Sequence, residues 1–211
     1  NPVNPMLGAK VQSGEVDLAL PGPLPFVVSR DYSSYQTDTP APVGLLGPGW
    51  WLPTEVSLLQ TENLLTVNDS KGRSIRFDPL APGQAAYSRS ENLWVVRGGS
   101  ERLDTQPRLP AAQLNTVWMG LHKDDRTNAS FFFVTNNLLG PWWIFGSSSA
   151  SIEVTSKRLY LLGLSDRFGR LQRIARDAAT GMMTAVQDGC GRQYRLELKT
   201  FANVVNEGVH G

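Results

Sequence analysis

The sequence predicts a mainly β protein, built from antiparallel hairpins and meanders with little helix. Turn cues recur about every eleven residues near the end of the chain, a spacing typical of short antiparallel strands. The composition agrees, because 20 glycines and 14 prolines accompany a charged fraction of only 18%. Most segments between turn cues are also too short to form stable helices.

The start of the chain predicts an extended lead-in followed by a hairpin. Pro2 and Pro5 keep their predecessors out of the helical region. Residues 16–20 and 24–32 alternate apolar with other residues and flank Pro21-Gly22-Pro23, which predicts two strands joined by a turn. Because the first residue is Asn rather than Met, we expect the chain to begin inside a longer product.

A second turn, Gly47-Pro48-Gly49, precedes two adjacent tryptophans. Neighbouring residues of a strand point to opposite faces, so we expect either Trp50 or Trp51 in the core and the other near a partner surface. The next segments also predict strands, and they cover residues 54–60, 64–68, 73–77 and 93–97. Residues 98–110 are polar and show no helical or strand periodicity of apolar residues, which predicts a surface loop.

The middle of the chain is less regular. Residues 111–119 fit either a helical face or a strand, and their neighbours favour a strand. Residues 131–134 are apolar on both faces, which predicts either a strand covered on both sides or a strand at a subunit or segment contact. Gly140-Pro141-Trp142-Trp143 partly repeats the earlier turn and tryptophan pair. We interpret residues 147–151, rich in serine, as a linker between a domain at 1–146 and repeat hairpins at 152–211.

One turn motif, Asp-x-x-Gly-Arg, occurs three times along the chain. In such a turn the Asp carboxylate can accept a hydrogen bond from a backbone N–H two residues on, and Gly adopts positive φ without a Cβ penalty. Strand-length segments follow the last two copies, which predicts stacked hairpins. The predicted structural residues are Asp69, Gly72, Arg73, Asp166, Gly169, Arg170, Asp188, Gly191 and Arg192.

These repeated hairpins resemble the tyrosine-aspartate (YD) repeat of the rearrangement hotspot (Rhs) polymorphic toxin family. Ser165 stands where that repeat usually has tyrosine, and Gln193 replaces an apolar residue. A second resemblance covers roughly the first fifty residues, whose ordered motifs are similar to the start of the Rhs shell after a PAAR domain. Those motifs are Asn1-Pro-Val-Asn-Pro5, Gly8-x-Lys10, Leu20-Pro-Gly-Pro-Leu24, Arg30-x-Tyr32-Ser-Ser34 and Leu46-Gly-Pro-Gly-Trp50.

The resemblance implies a structural role. The chain would be the N-terminal part of a YD-repeat β-cocoon shell that encloses a C-terminal toxin, within a type VI secretion system effector used in interbacterial competition. The implied partners are the rest of the shell, the enclosed toxin, a PAAR domain, the VgrG spike and a dedicated chaperone. The effector would remain in the producing cell's cytoplasm until it is secreted into a target cell. Toxin activity and the aspartyl autoprotease would lie elsewhere in the full-length protein.

Charge and residue usage exclude several other functions. Twenty basic against nineteen acidic residues predict no nucleic-acid partner and no membrane surface. Cys190 is the only cysteine, so no internal disulfide forms, and we interpret it as a turn residue. His122 and His210 lack the spacing of a metal site or a catalytic triad. We therefore predict no enzyme, no cofactor and no metal in this chain.

Two alternatives belong to other functional classes. A carbohydrate-binding β module could stack sugars on exposed aromatic rings, and the candidates are Trp50, Trp51, Trp142 and Trp143. A hydrolase could use the adjacent pair Asp124 and Asp125, because two close carboxylates separate their pKa values. Adjacent strand residues face apart, however, so we interpret this pair as the solvated tip of a charged turn.

Overall fold

The computed structural model describes residues 3–4, 9–34, 45–70, 72–104, 111–147 and 156–199. Of these described residues, 45% lie in strands and 10% in helices, and the sheets are antiparallel, which confirms the mainly β fold with little helix. The short helices are α1 (Ala111–Gly120) and α2 (Lys123–Arg126). The strands are β1 (Val3–Asn4), β2 (Ala9–Ala19), β3 (Val27–Ser33), β4 (Trp50–Trp51), β5 (Ser57–Thr61), β6 (Leu65–Asn68), β7 (Ser74–Phe77), β8 (Ala85–Ser88), β9 (Leu93–Arg97), β10 (Phe132–Thr135), β11 (Trp142–Gly146), β12 (Ser156–Ser165), β13 (Leu171–Arg176), β14 (Met183–Gln187) and β15 (Gln193–Arg195).

The smaller sheet has the order β1-β2-β3-β4. Its central hairpin, β2–β3, turns at the predicted Pro21-Gly22-Pro23 segment. Strand β2 starts earlier than predicted, at Ala9, and register shifts between Gln12 and Glu15 and between Val16 and Leu18 accommodate its length. Strand β4 pairs with β3 through the two adjacent tryptophans, so it lies at an edge of this sheet.

The larger sheet branches at β12. One path runs β7-β6-β5-β12-β11-β10-β9-β8, and β13-β14-β15 continues from the other half of β12. The sheet is barrel-like and nearly closed. Ser156–Tyr160 pairs with β5, whereas Gly163–Ser165 pairs with β13. Leu162 is an extra residue in the pairing with β11. The next residue is glycine because a methyl group on Gly163 would collide with the carbonyl oxygen of Gln172.

Two hydrophobic cores lie on opposite faces of the barrel wall. The interior core includes Leu58, Val95, Phe132, Phe145 and Leu159. The outer core lies between the wall and α1 and includes Leu114, Trp118, Phe133, Trp142 and Ile144. Strand β10 supplies alternate residues to both cores, which confirms the prediction of a strand covered on both sides.

The prediction of a strand at residues 111–119 is wrong, because this segment is helix α1. The apolar residues Leu114, Val117, Trp118 and Leu121 share one helical face, and that face packs on the outside of the barrel. The predicted surface loop that precedes the helix is also partly buried, since Leu103 joins the outer core. Strand β8 was not predicted.

The charged turn predicted around Asp124 and Asp125 is the short helix α2 rather than a hairpin tip. Most of the predicted linker, residues 148–151, lies outside the described residues, as does the final segment 200–211. The boundary between a domain at 1–146 and repeats at 152–211 therefore stays a prediction. Within the described part of the chain, no helix is long and apolar enough to cross a membrane.

Candidate functional site

The Asp-x-x-Gly-Arg turns share one hydrogen-bonded geometry. In the 166–170 turn, Oδ1 of Asp166 accepts hydrogen bonds from the backbone N–H of Phe168 at 2.9 Å and of Arg170 at 3.0 Å. Its other oxygen, Oδ2, accepts from Nε of Arg170 at 2.6 Å. Gly169 closes the turn at φ +76°, which a residue with a Cβ rarely adopts. The acid thus satisfies two backbone donors and one guanidinium.

The 188–192 turn repeats this arrangement with more burial. Oδ1 of Asp188 accepts from the N–H groups of Cys190 at 3.0 Å and Arg192 at 2.9 Å, and Oδ2 accepts from Nε of Arg192 at 2.7 Å. The hydroxyl of Tyr194 donates a further hydrogen bond to Oδ2 at 3.1 Å. Gly191 has φ +83°. The Asp188 side chain is 0% exposed, so these bonds compensate a buried charge.

The first copy of the motif differs in its ion pair. The N–H of Arg73 donates to Oδ1 of Asp69 at 2.8 Å, and Gly72 has φ +82°. The guanidinium of Arg73, however, contacts Glu91 instead of the turn's own acid. The backbone of the turn therefore follows from the motif, whereas the partner of the arginine depends on the surrounding fold.

The 188–192 turn also binds the β2–β3 turn near the start of the chain. Arg192 donates from Nη2 to the carbonyl oxygens of Leu20 at 3.2 Å and Pro21 at 3.1 Å. The N–H of Gly189 donates to the Leu24 carbonyl at 3.1 Å, and the Gln172 amide donates to the Pro25 carbonyl at 2.9 Å. Sequence reasoning missed Gln172 and Tyr194. No local pattern marks Gln172, whose partner Pro25 lies 147 positions earlier, whereas Tyr194 lies only six positions after Asp188.

The four candidate tryptophans differ in exposure. Trp142 is fully buried in the outer core and Trp51 is 8% exposed, so neither ring is an exposed platform for a sugar. Trp50 is half-buried, 4.9 Å from the Tyr32 ring and 5.4 Å from the Arg30 guanidinium carbon. Trp143 is half-buried against the interior core. Trp51 is therefore the buried ring of the pair and Trp50 the more exposed one, whereas the expected partner surface beside the exposed ring stays a prediction.

Asp124 and Asp125 form no catalytic dyad. Asp124 is exposed, whereas Asp125 is buried and accepts two hydrogen bonds from Nη2 of Arg173, at 3.0 and 2.8 Å. The prediction of a solvated tip is wrong for Asp125, because α2 turns it towards β13. Among the described residues, no group of three His, Cys, Asp or Glu side chains is placed to hold a metal ion.

An open cleft of about 800 Å³, here called the outer cleft, lies on the outer face of the barrel beside β4. Strand β12 contributes Arg158 and Tyr160 to its wall, and the alternate residue Leu159 points into the interior core. The other lining residues include Trp50, Trp51, Thr54, Glu55, Asp69, Arg176 and Met182. The cleft combines aromatic surface with two arginines, a feature that sequence reasoning did not predict.

The electrostatics of the 188–192 turn predict an acid-sensitive stability. Burial raises the pKa of Asp188, but hydrogen bonds from Arg192, Tyr194 and Cys190 together outweigh it and hold that pKa below its ordinary value of 3.8. A carboxyl whose pKa is lowered in the folded state stabilises the protein above its unfolded pKa, and this stabilisation disappears as the pH falls through the folded pKa.

We therefore expect the difference in melting temperature between the unsubstituted protein and Asp188→Asn to be complete above about pH 5 and to shrink below about pH 4. Thermal unfolding followed by circular dichroism between about pH 7 and pH 2 measures this difference. Asp177 also has a lowered pKa, mainly through its hydrogen bond with the Thr180 hydroxyl. Because Asp177 is present in both proteins, its contribution cancels in the difference in melting temperature. A difference that stays constant down to the lowest pH would contradict the prediction.

Comparison with known proteins finds two toxin proteins among the relatives of this chain. Residues 1–77 match a family described as "Domain of unknown function (DUF6531)". The chain is 34% identical over 198 residues to "Toxin protein Tse5" of Pseudomonas aeruginosa (strain PAO1), which covers 92% of the chain and 13% of that protein. It is 35% identical over 99 residues to "Double-stranded DNA deaminase toxin A" of Burkholderia cenocepacia (strain H111), covering 46% of the chain and 7% of that protein.

The chain thus spans 13% or less of the length of these two curated relatives. The similarity to the first relative extends over nearly the whole chain, through both the early motifs and the repeated turns. The chain belongs to the Rhs family of polymorphic toxins.

Proposed function

We propose that this chain is a structural, N-terminal segment of an Rhs shell that encloses a C-terminal toxin. The observation that carries the proposal is the stacking of β12, β13, β14 and β15, in which Asp-capped turns join successive antiparallel strands. Within the described residues, this series ends at β15 with one side unpaired. A further hairpin of the same kind could add there by backbone hydrogen bonding alone.

The buried charges support a structural role rather than catalysis. Asp188 and Asp125 are both buried, and each has an arginine partner within 3 Å. Such acids hold elements together: Asp188 acts within its turn, and Asp125 joins α2 to β13. We propose that the activities named for the relatives, and the aspartyl autoprotease, belong to other parts of the full-length protein.

The proposed setting is a type VI secretion effector used in interbacterial competition. The partners would be the remaining shell, the enclosed toxin, a PAAR domain, the VgrG spike and a dedicated chaperone, without nucleic acid or membrane at this segment. The effector would remain in the cytoplasm of the producing bacterium until secretion into a target cell. Both relatives carry the word toxin in their names, which agrees with secretion to target cells.

The open side of β15 predicts that the isolated 211-residue chain associates with itself. The N–H of Leu196 donates to the Thr184 carbonyl on β14 at 2.9 Å, so the N–H of Arg195 points to the unpaired side by strand alternation. Arg195→Pro removes that outward donor and leaves the ladder with β14 intact. We expect sedimentation velocity to show concentration-dependent oligomers for the unsubstituted chain and mainly monomer for Arg195→Pro.

Arg195→Ala is the matched control, because it removes the same side chain and keeps the N–H. It should associate like the unsubstituted chain. A chain that stays monomeric at every concentration and unfolds in one cooperative transition would argue against an open wall segment. Equal association of the proline and alanine variants would instead exclude β15 as the contact.

A further inference from the structure

The outer cleft contains arginines that lack acidic partners. Arg158 is exposed and makes no ion pair or hydrogen bond with any described residue. Arg176 donates hydrogen bonds to the carbonyl oxygens of Leu161 at 2.8 Å, Gly181 at 2.9 Å and Thr54 at 3.2 Å. Its guanidinium carbon lies 5.4 Å from the centre of the Tyr160 ring. These partners are neutral at ordinary pH, so the positive charge of both arginines is uncompensated by direct contact.

The two acidic residues of the cleft wall make no ion pair with Arg158 or Arg176, although the negative charge of Glu55 favours the charged form of Arg176. Both carboxylate oxygens of Glu55 accept backbone hydrogen bonds at 2.6 Å, from Leu45 and from Leu52. Asp69 accepts a hydrogen bond from the backbone N–H of Arg73 within its own turn. Neither acid lies within ion-pair distance of Arg158 or Arg176 in the described part of the chain.

The cleft wall also includes polar groups without partners. The indole nitrogen of Trp51 and the hydroxyl of Thr54 are buried and have no hydrogen-bond partner among the described residues. Trp51 as a whole is 92% buried, because its exposed fraction is 8%. A buried polar atom without a partner is unfavourable, and these two atoms belong to residues of the cleft wall.

We propose that the outer cleft binds an extended polypeptide segment through an acidic side chain. The carboxylate would pair with Arg158, where a planar guanidinium can donate two parallel hydrogen bonds. Trp50, Tyr160 and the 39% exposed Met182 would contact the apolar residues on either side of the acid. The volume of about 800 Å³ falls within the range of ordinary ligand sites.

The position of β4 favours a polypeptide as the occupant. This strand lies at the edge of its sheet and lines the cleft with Trp50 and Trp51. The outward N–H of Trp50 donates to the Gly47 carbonyl at 3.2 Å, so the outward carbonyl of Trp50 is the backbone group that β4 can offer to an extended chain. A polypeptide source is also at hand, because 87% of the length of the first relative lies outside the region matched here. An acidic sugar could supply the same carboxylate but lacks the apolar side chains that would contact Trp50, Tyr160 and Met182.

Fluorescence anisotropy can test the site with a labelled hexapeptide of alternating glutamate and leucine. We expect saturable binding to the 211-residue chain, and at least about tenfold weaker binding to Arg158→Gln, as for loss of a charge-assisted hydrogen bond. Lys157→Gln is the matched control, since it removes one positive charge from the same strand outside the cleft lining. It should leave the affinity unchanged.

Two further probes make the result specific. The same peptide with glutamine in place of glutamate should bind at least about tenfold more weakly, and an oligomer of galacturonic acid should compete poorly. Equal binding of both peptides, or equal losses in Arg158→Gln and Lys157→Gln, would overturn the proposal. Preferential binding of the acidic sugar with loss in Arg158→Gln would also overturn it, and would assign the cleft to saccharides.

Discussion

Replacing Trp118 with alanine is expected to lower the free energy of unfolding by about 3–5 kcal/mol, the range for removal of a buried aromatic side chain. Trp118 is fully buried between α1 and the barrel wall, with ring centroids 4.8 Å from Phe133 and 6.4 Å from Trp142. Its indole N–H also donates to the Ser100 carbonyl at 3.1 Å. The substitution removes both the packing and this bond, so α1 should detach from the wall. Urea unfolding followed by circular dichroism measures the loss.

Met119→Ala provides the control from the same turn of α1. Met119 is 45% exposed and lies outside the outer core, so its truncation should change the free energy of unfolding by no more than about 0.5 kcal/mol. If both substitutions had similar effects, the helix would not be held by the outer core, and the assignment of Trp118 as its main contact would fail.

The second large effect is expected at Asp188. Asp188→Ala should lower the melting temperature by roughly 5–10 °C, because it removes one partner of a buried ion pair. The substitution also leaves the N–H groups of Cys190 and Arg192 without their acceptor and frees the hydroxyl of Tyr194. Since Arg192 binds the β2–β3 turn, the contact between the repeats and the start of the chain should weaken as well.

Asp166→Ala tests how much the hydrogen bonds within a turn contribute to stability when the contact with the β2–β3 turn is not involved. Asp166 makes the same bonds within its turn, but its side chain is 13% exposed, and its arginine partner, Arg170, makes no hydrogen bond with the described residues of the β2–β3 turn. We expect its melting temperature to fall by less than half as much as that of Asp188→Ala. Differential scanning calorimetry of both variants tests this, and equal decreases would show that the docking of the 188–192 turn contributes little.

The local features of the fold were predictable from the sequence because they depend on neighbouring residues. The turns at 166–170 and 188–192 form from an acid, a glycine and an arginine within five positions; the acid accepts backbone N–H groups and the glycine has positive φ. The strands between them follow from short segments of strand-forming residues. The family membership could likewise be recognised from ordered motifs, and comparison with the toxins confirms it.

The errors arose where a distant surface decides the local structure. Residues 111–119 have apolar positions compatible with a helix or a strand, and only the free outer face of the barrel selects the helix. Asp125 looked like part of a solvated turn because its partner, Arg173, lies 48 positions further along the chain. The outer cleft could not be predicted for the same reason, because β4, β5 and β12 form its walls from separate parts of the sequence.

The sequence alone therefore determined the mainly β class, the capped turns, most strand positions and the Rhs family. Those features depend on short-range geometry: side chains that cap their own backbone, glycines that accept positive φ, and the two-residue period of a strand. The tertiary structure decided the branching of the larger sheet at β12, the attachment of α1, the burial of Asp188 and Asp125, and the convergence of Arg158 with the tryptophans of β4. These features depend on long-range pairing, whose partners no local pattern specifies.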